Sequence, residues 1–284
     1  MAEPALAVTP LGPHLGAEIA GVDLSRPLAD ATAREIRAAL FEHLVIFFRD
    51  QSLTPARQVE VARLFGEPLH HPFLPENPNL PAITIVETGG DAFPAEPGAA
   101  FARWHTDVTF FPEPPSCALL HCKRLPERGG NTLWASMYAA YEALSPALRA
   151  FLGGLTAIHD IGQGYRGYFR DMGDGYATLR KAEADYPRVE HPVVRTHPVT
   201  GRKLLFVNES FTESIEGLTA RESDALLAFL FTHQRTPEFQ IRFHWTENSL
   251  AIWDEPATLH YPIADYGRAR RVLHRVMVKG ERPY

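Results

Sequence analysis

The final strand that the sequence predicts, Arg271 to Val278, places two arginines on one face. Successive side chains of a strand point to opposite faces, so Arg271, Leu273, Arg275 and Met277 share a face and valines dominate the other. At roughly 3.3 Å per residue the two arginines lie about 13 Å apart, so they can bind two different anions. Arginine is almost never fully buried without a partner. The fold must therefore pair both guanidiniums inside or leave this face in water, and the strand alone leaves both arrangements open.

The rest of the chain mixes short strands with helices and contains no repeat and no linker. Residues 239–245 alternate apolar and polar side chains, as in a strand with one buried face. Thr219 with Glu222 predicts a capping box at a helix start. These signals are typical of an α+β protein with a mainly β core, and they predict a single domain over residues 1–284.

In two segments the apolar residues follow neither a helical nor a strand periodicity. Residues 88–103 are rich in Gly, Ala and Pro and lie directly before a candidate metal-binding pair, so they form either an active-site lid or a plain surface loop. Residues 159–190 carry scattered aromatic and charged side chains. We interpret this second segment as an insertion that walls a pocket.

Composition excludes several classes of protein. The net charge is −6 and no basic stripe is present, which argues against a nucleic-acid partner. No segment has the apolar length of a membrane span, and the first 20 residues lack a secretory signal, so we expect a cytoplasmic protein. Cys117 and Cys122 have neither a zinc-site nor a redox-pair spacing, which predicts buried free thiols.

His105 and Asp107 place an imidazole and a carboxylate two residues apart in a segment that we expect to be extended. Positions i and i+2 of a strand share a face, so the two side chains would converge while Thr106 faces away. Such a pair can bind a metal. It also occurs by chance, so it needs a third ligand elsewhere in the chain.

His260 is the candidate third ligand, and it precedes Arg271 by a short connection. Two histidines and one carboxylate form the facial triad of non-heme Fe(II) oxygenases, which leaves coordination positions open for a cosubstrate and O₂. No thiolate accompanies the three residues, which argues against a structural zinc site.

At this point the sequence resembles the Fe(II)/2-oxoglutarate-dependent dioxygenases of the taurine dioxygenase type. The resemblance extends over nearly the whole chain, and it is carried by six segments: Trp104–Phe110, Gly130–Trp134, His191–Arg195, Phe206–Glu209, Ile252–Asp254 and Arg271–Arg275. It implies a double-stranded β-helix, a jelly-roll relative of the cupins, flanked by helices.

The resemblance also implies roles for individual residues. His105, Asp107 and His260 resemble the iron ligands, which are also the catalytic residues of the family. Thr132 and Arg271 resemble the pair that binds the distal carboxylate of 2-oxoglutarate, and a guanidinium suits a carboxylate well. The residues that resemble the substrate-binding set are His71 and Arg275, which would hold a sulfonate, and Phe211, which would pack on the carbon chain.

Two positions depart from the family members that act on taurine. Phe101 replaces an amide side chain four residues before the first iron ligand, and Leu74 replaces a tyrosine three residues after His71. Both changes remove polar partners for an amine and add apolar surface, and an unpaired ammonium in an apolar pocket is costly. The substrate-binding residues therefore favour a less polar substrate than taurine.

The implied activity uses Fe(II), 2-oxoglutarate and O₂ to hydroxylate the carbon next to the sulfur of a sulfonate, such as taurine or an alkylsulfonate. A sulfonate would yield an aldehyde and sulfite, and succinate and CO₂ would form from 2-oxoglutarate. The alternative within the family is an alkylsulfatase-type dioxygenase that releases sulfate from a sulfate ester. The resemblance further implies a homodimer or homotetramer.

Two rivals come from other classes. A zinc hydrolase could use the same three ligands to activate water, but it would have no use for Arg271 and Thr132 as a dicarboxylate clamp. A cupin-like binding protein without turnover is argued against by the intact ligand set. His274 points to the face opposite the arginines, so we expect it to be a packed histidine and not a ligand.

Overall fold

The computed structural model describes residues 6–89, 102–162, 165–166, 169 and 175–284. The described helices are α1 (Asp30–His43), α2 (Pro55–Ala62), α3 (Met137–Glu142), α4 (Pro146–Leu152), α5 (Gly175–Asp185) and α6 (Ala220–Gln234). The described strands are β1 (Ala7–Pro10), β2 (Ala17–Ala20), β3 (Val45–Phe48), β4 (Pro68–Leu69), β5 (Glu76–Asn77), β6 (Leu80–Thr88), β7 (Cys117–Arg124), β8 (Thr132–Ser136), β9 (Thr156–His159), β10 (Val189–Pro192), β11 (Val194–Thr196), β12 (Lys203–Leu205), β13 (Thr212–Ile215), β14 (Gln240–Phe243), β15 (Leu250–Asp254), β16 (Thr258–Pro262) and β17 (Arg271–Val278).

A large, mostly antiparallel sheet forms one layer of the protein. Its strand order is β1-β2-β3-β15-β7-β17-β6-β5, and β4 pairs with β17 beside this path. The central strand β15 is buried along its whole length and pairs with β3 on one side and β7 on the other. Strand β17 lies between β7 and β6, so both of its edges are hydrogen-bonded. This sheet carries both arginines of the final strand.

A smaller antiparallel sheet, β14-β8-β16, faces the large one. The contact between the two layers is aromatic: Trp134 of β8 lies 5.8 Å from Trp253 of β15 and 5.3 Å from Phe47 of β3, measured between ring centroids. Trp134 and Phe47 are fully buried. Two facing sheets with helices outside are the layered arrangement that a jelly roll requires.

A second apolar core fills the outer face of the large sheet. Ile36 and Leu40 of α1 and Val59 of α2 pack there with Phe48 and Val276 from the strands. The sheet is thus buried on both faces, the outer one under helices and the inner one under the smaller sheet. No helix in the described part of the chain is both long and apolar enough to cross a bilayer.

Local signals in the sequence are confirmed at the start of α6 and at the cysteines. Thr219 and Glu222 form the predicted capping box of α6, with both hydrogen bonds present. Cys117 and Cys122 are buried and unpaired, as expected. The predicted lid lies largely outside the described residues, which do not include residues 90–101. The ends of segment 159–190 lie in β9 and β10, which pair antiparallel beside β13, and its role in walling a pocket stays a prediction.

Candidate active site

Three predicted metal ligands meet inside the protein. One potential ligand atom from each of His105, Asp107 and His260 lies within 4.8 Å of the others. The two histidines are joined through their backbones, since His105 N donates to the His260 carbonyl over 3.0 Å and His260 N donates back over 2.8 Å. A pair that exchanges both bonds in this way directs its side chains to the same side. This backbone pairing brings together two residues that are distant in sequence.

The predicted extended conformation of the His-x-Asp segment is wrong at Asp107, where a turn begins. His105 bridges to His260, but residues 107–110 form a turn and Val108 has a φ of +41°. The hydroxyl of Thr106 faces away, as predicted, and donates to the Thr258 carbonyl over 2.8 Å. Asp107 Oδ1 still lies 3.6 Å from His105 Nε2. The carboxylate thus lies beside the imidazole at the start of a turn.

The imidazoles are in the protonation state that metal ligation needs. His105 Nδ1 lies 2.8 Å from the Arg103 carbonyl, which can only accept, so Nδ1 carries the proton and Nε2 keeps its lone pair. Burial lowers the pKa of both His105 and His260 below the usual histidine value, so both rings are neutral near pH 7. Two neutral imidazoles and a carboxylate fit a divalent transition metal. The assignment of these residues as ligands stays a prediction.

Two further side chains hold Asp107. Arg275 Nη1 donates to both carboxylate oxygens, over 2.8 and 2.7 Å, and Glu255 Oε2 accepts from the Asp107 backbone N–H over 3.0 Å. Burial opposes ionisation of Asp107, but the Arg275 charge and the nearby histidines outweigh it and keep the pKa of Asp107 below its usual value. For Glu255, burial first and the Asp107 charge second raise the pKa well above normal.

Glu255 was missed by the sequence reasoning. The only local signal was a carboxylate directly after the buried strand β15, in the turn that leads to β16. Its side chain is completely buried and reaches a main-chain N–H across the site. A hydrogen bond to a backbone group leaves no trace in residue spacing.

Arg271 and Thr132 lie together, as the resemblance implied. Arg271 Nη2 lies 3.5 Å from Thr132 Oγ1, and its Nε donates to the Gly130 carbonyl over 3.1 Å. Trp245 Nε1, which sequence reasoning missed, donates to the same Thr132 hydroxyl over 3.0 Å. Arg271 is only 3% exposed. The interior arrangement of the arginine face is therefore the one adopted, and this guanidinium is available for a carboxylate.

Strand register sets the distance between this clamp and the histidines. In the β8–β16 pair, His260 lies opposite Trp134 and Thr132 is two residues farther along β8 on the same face. Two residues of a strand span about 7 Å. A five-carbon dicarboxylate can bridge such a gap between a metal at His260 and the clamp at Thr132.

The predicted substrate-binding residues border the same centre. Arg275, which is 7% exposed, contacts Asp107, and the Phe211 ring lies edge-on to His105 at 6.3 Å between centroids. His71 is buried, and its Nε2 lies 2.8 Å from the Tyr165 hydroxyl, a contact that the sequence did not predict. Leu74 donates its backbone N–H to His71 Nδ1. Phe101 lies outside the described residues.

Aromatic rings line the side of the site next to His71. Phe73 is the centre of this aromatic cluster, with four neighbouring ring centroids at 5.0 to 5.9 Å: Phe110, Tyr165, Phe169 and Tyr186. Phe211 joins it through Phe110 at 5.3 Å. Among the described residues, this side of the centre is therefore largely apolar.

Comparison with known sequences gives full-length matches. The family model described as "Taurine catabolism dioxygenase TauD, TfdA family" matches residues 7–277. An alpha-ketoglutarate-dependent sulfate ester dioxygenase of Pseudomonas putida is 36% identical over 98% of this chain and 91% of its own length. An alkylsulfatase of Acinetobacter baylyi is 35% identical over 94% of this chain and 83% of its own length.

Solved structures agree with these matches and confirm the fold prediction. A taurine dioxygenase from Burkholderia xenovorans superposes with a TM-score of 0.83 at 37% identity, covering 99% of this chain and 91% of the other. AAD-2, solved in complex with Mn(II) and N-oxalylglycine, gives a TM-score of 0.82 at 28% identity and covers 99% of both chains. This chain belongs to the TauD/TfdA family, and it is an alpha-ketoglutarate-dependent (2-oxoglutarate-dependent) dioxygenase that uses O₂.

Proposed function

We propose that this dioxygenase requires Fe(II) and hydroxylates the carbon that bears the sulfur-containing group of an apolar organic sulfate ester or sulfonate. Hydroxylation of that carbon gives a product that collapses to an aldehyde and inorganic sulfate or, from a sulfonate, sulfite. One oxygen atom of O₂ enters the new hydroxyl group, and the other enters succinate as 2-oxoglutarate loses CO₂.

His105, Asp107 and His260 would hold the iron. Bound there, the metal supplies the oxidising chemistry with O₂ and 2-oxoglutarate. Arg271 and Thr132 would bind the distal carboxylate of 2-oxoglutarate, because a guanidinium and a hydroxyl both donate to carboxylate oxygens. The buried positions of Asp107 and Arg271 also keep bulk water away from both charges.

The substrate proposal rests on the hydrogen bonding of the Arg275 guanidinium. Its Nη1 is used by Asp107, whereas its Nε and Nη2 are buried and have no hydrogen-bond partner among the described residues. Buried donors of a charged group are costly to leave unpaired. A planar pair of N–H groups beside a metal centre suits two oxygens of a sulfonate or sulfate group, and binding there would orient the adjacent C–H bond.

The apolar surroundings define the rest of the substrate. The aromatic cluster around Phe73 and the apolar Leu74 offer carbon surface on the His71 side of the site, and none of these side chains carries a carboxylate that could pair with an ammonium. The names of two relatives, a sulfate ester dioxygenase and an alkylsulfatase, point to the same substrate class. An alkyl chain fits this wall better than the amine of taurine.

The test is a substrate panel with the purified protein, Fe(II), ascorbate, 2-oxoglutarate and O₂. Succinate, sulfite and sulfate are measured with alkyl sulfates, alkylsulfonates and taurine, and a parallel assay replaces Fe(II) with Zn(II). We expect succinate to form with Fe(II) and O₂ only, in equal amount to sulfate or sulfite, and taurine to be the poorest of the three classes. If no sulfur anion increases the rate of succinate formation, the substrate proposal is wrong. Turnover with Zn(II) would overturn the assignment as an iron oxygenase.

A further inference from the structure

The loop that carries Phe211 is held by one buried side chain. Asn208 Oδ1 accepts the backbone N–H of Ser210 over 3.1 Å and that of Phe211 over 2.9 Å. The carbonyl of Phe211 accepts from the Asp160 N–H over 3.0 Å, so its backbone is bonded on both sides. Asn208 is 1% exposed. With its backbone held in this way, Phe211 presents its ring edge-on to His105 at 6.3 Å between centroids.

The amide nitrogen of the same side chain reaches the turn that carries Asp107. Because Oδ1 accepts two N–H groups, the other amide atom of Asn208 is the nitrogen, and it donates to Thr109 Oγ1 over 3.0 Å. This buried hydroxyl, two residues after Asp107, also lies 2.9 Å from His159 Nδ1. One asparagine therefore connects the Phe211 loop with the turn of a candidate metal ligand, across 99 residues of sequence.

The turn has further supports that do not depend on Asn208. His191 Nε2 donates to the Thr109 carbonyl over 2.9 Å, since a carbonyl can only accept. Arg275 Nη1 donates to the Asp107 carboxylate over 2.7 Å. Neither bond uses the Thr109 hydroxyl. Loss of that hydroxyl should therefore leave the carboxylate in place and act on the loop.

We propose that the Asn208–Thr109 hydrogen bond is a specificity determinant, which fixes the Phe211 ring at one position relative to the candidate metal ligands. Asn208 is then a positioning residue that acts through Phe211 on the alkyl chain of the substrate. Breaking the bond leaves a buried amide donor without an acceptor, and a shift of the loop reduces that cost. This role rests on the proposed function, since it takes an alkyl sulfate or sulfonate as the substrate.

The experiment compares the binding of a long and a short alkyl sulfate. The protein is loaded with Mn(II) and 2-oxoglutarate without O₂, and calorimetry gives the dissociation constants of hexyl sulfate and ethyl sulfate. Calorimetry of the metal-free protein gives the affinity for Mn(II). Assays with Fe(II) and O₂ give the amounts of succinate and sulfate formed from hexyl sulfate.

The variants break the connection at either end. Thr109→Val removes the hydroxyl, whereas Asn208→Ser leaves a hydroxyl that can accept the loop N–H groups but is too short to reach Thr109. Thr109→Ser keeps the hydroxyl and is the conservative variant. The matched control is Ser223→Ala, which removes a buried hydroxyl of α6 that accepts the Ile215 backbone N–H.

We expect Thr109→Val and Asn208→Ser each to weaken hexyl sulfate binding about 3- to 10-fold, as partial loss of an apolar contact does. Ethyl sulfate binding should change by less than about twofold, because its short chain offers little carbon surface to Phe211. The double variant should be no more than about twofold weaker than the weaker single variant, since one bond is removed. Both single variants should form more succinate than sulfate, because a displaced chain holds the target C–H bond poorly.

The Mn(II) affinity should stay at its wild-type value in both variants, and Thr109→Ser and Ser223→Ala should bind both alkyl sulfates like the wild type. Equal losses for hexyl and ethyl sulfate would overturn the role of Asn208, because a general structural defect does not distinguish the two. Wild-type binding of hexyl sulfate in both variants, or a parallel loss of Mn(II) affinity, would overturn it as well.

The wild type alone tests the proposed function. If it binds neither hexyl sulfate nor hexylsulfonate, the proposed substrate class is wrong, and the role of Asn208 is wrong with it. Urea unfolding of each variant identifies one that fails to fold. In that case the variant at the other end of the hydrogen bond decides, because each removes the same contact.

Discussion

At the scale of single residues, the candidate metal site depends on side chains that hold the ligands as well as on the ligands. Asp107 is fixed from two directions, by Arg275 at its carboxylate and by Glu255 at its backbone N–H. The φ of +41° at Val108, directly after Asp107, is unfavourable for a β-branched residue and costs roughly 1–3 kcal/mol. The surrounding hydrogen bonds must maintain this conformation, and the Glu255 contact is one of them.

Glu255 gives the first prediction at this scale. Glu255→Ala removes the acceptor for the Asp107 N–H and should weaken Mn(II) binding by about 10- to 100-fold, the usual effect of removing a residue that supports a metal ligand. Glu255→Gln is the matched control, because its amide oxygen can accept the same bond. Calorimetric titration of the metal-free protein measures both. Wild-type affinity in the alanine variant would show that Glu255 does not position Asp107.

At the scale of elements, two strands and one turn build the proposed 2-oxoglutarate clamp. Strand β17 carries Arg271, strand β8 carries Thr132, and the turn before β8 supplies the Gly130 carbonyl that accepts from Arg271 Nε. Gly130 has a φ of +69°, and a Cβ placed there would lie 3.2 Å from Arg271 Cδ. The glycine therefore serves the backbone turn and also leaves room for the arginine.

Gly130→Ala tests this element, with Gly201→Ala as its control. Gly201 has the same φ of +69°, but a Cβ there meets nothing within 4 Å. Each substitution should lower the free energy of unfolding by about 1–2 kcal/mol, the cost of a left-handed backbone for alanine. Only Gly130→Ala should also raise the Michaelis constant for the oxoacid cosubstrate, by several-fold, because it displaces Arg271. Equal Michaelis constants in the two variants would contradict the proposed clamp.

At the scale of the whole molecule, the fold buries histidines outside the candidate ligand set as well as within it. His121 and His191 each have a pKa lowered to about 4, mainly by burial, with Lys123 adding to the effect at His121. Each ring is held by main-chain carbonyls, that of Gln51 for His121 and those of Thr109 and Phe111 for His191. The fold therefore requires these histidines to be neutral.

This burial predicts a loss of stability in acid. In the unfolded chain His121 and His191 take up protons near pH 6.5, whereas in the folded protein they do so only as the pH approaches their pKa of about 4. The unfolded state binds more protons than the folded state in this pH range. The free energy of unfolding should therefore fall as the pH drops from 6.5 towards 4, and the loss should reach roughly 3 kcal/mol for each ring at pH 4. The measurement uses metal-free protein, because protonation of the candidate metal ligands would otherwise release the metal and add a second pH-dependent contribution to the stability.

Urea unfolding at a series of pH values measures the effect. His121→Gln should reduce the slope of the free energy of unfolding against pH below 6.5 by about 1.4 kcal/mol per pH unit, the value for one proton. His14→Gln, at an exposed histidine, is the matched control. An unchanged slope in His121→Gln would contradict the assignment of this ring as a buried neutral histidine.

Much of the site could be anticipated from side-chain chemistry and spacing. The period of two along the final strand put Arg271 and Arg275 on one face, and the motifs of the resemblance singled out His105, Asp107, His260 and Thr132. Family membership and the fold class were then confirmed by the comparisons. These features are readable because side-chain type and local periodicity belong to the sequence itself.

Other features depended on contacts between distant parts of the chain. Whether the arginine face of β17 lies in water or in the interior was decided by the second sheet that covers it. Tyr165, Trp245 and Glu255 form hydrogen bonds to groups 94, 113 and 148 residues away in sequence. A turn replaced the expected strand at Asp107, where Glu255 and Arg275, both distant in sequence, hold the backbone N–H and the carboxylate. The sequence thus determined which chemical groups are present, and tertiary packing determined their partners, because partners so far apart have no spacing that a local pattern can record.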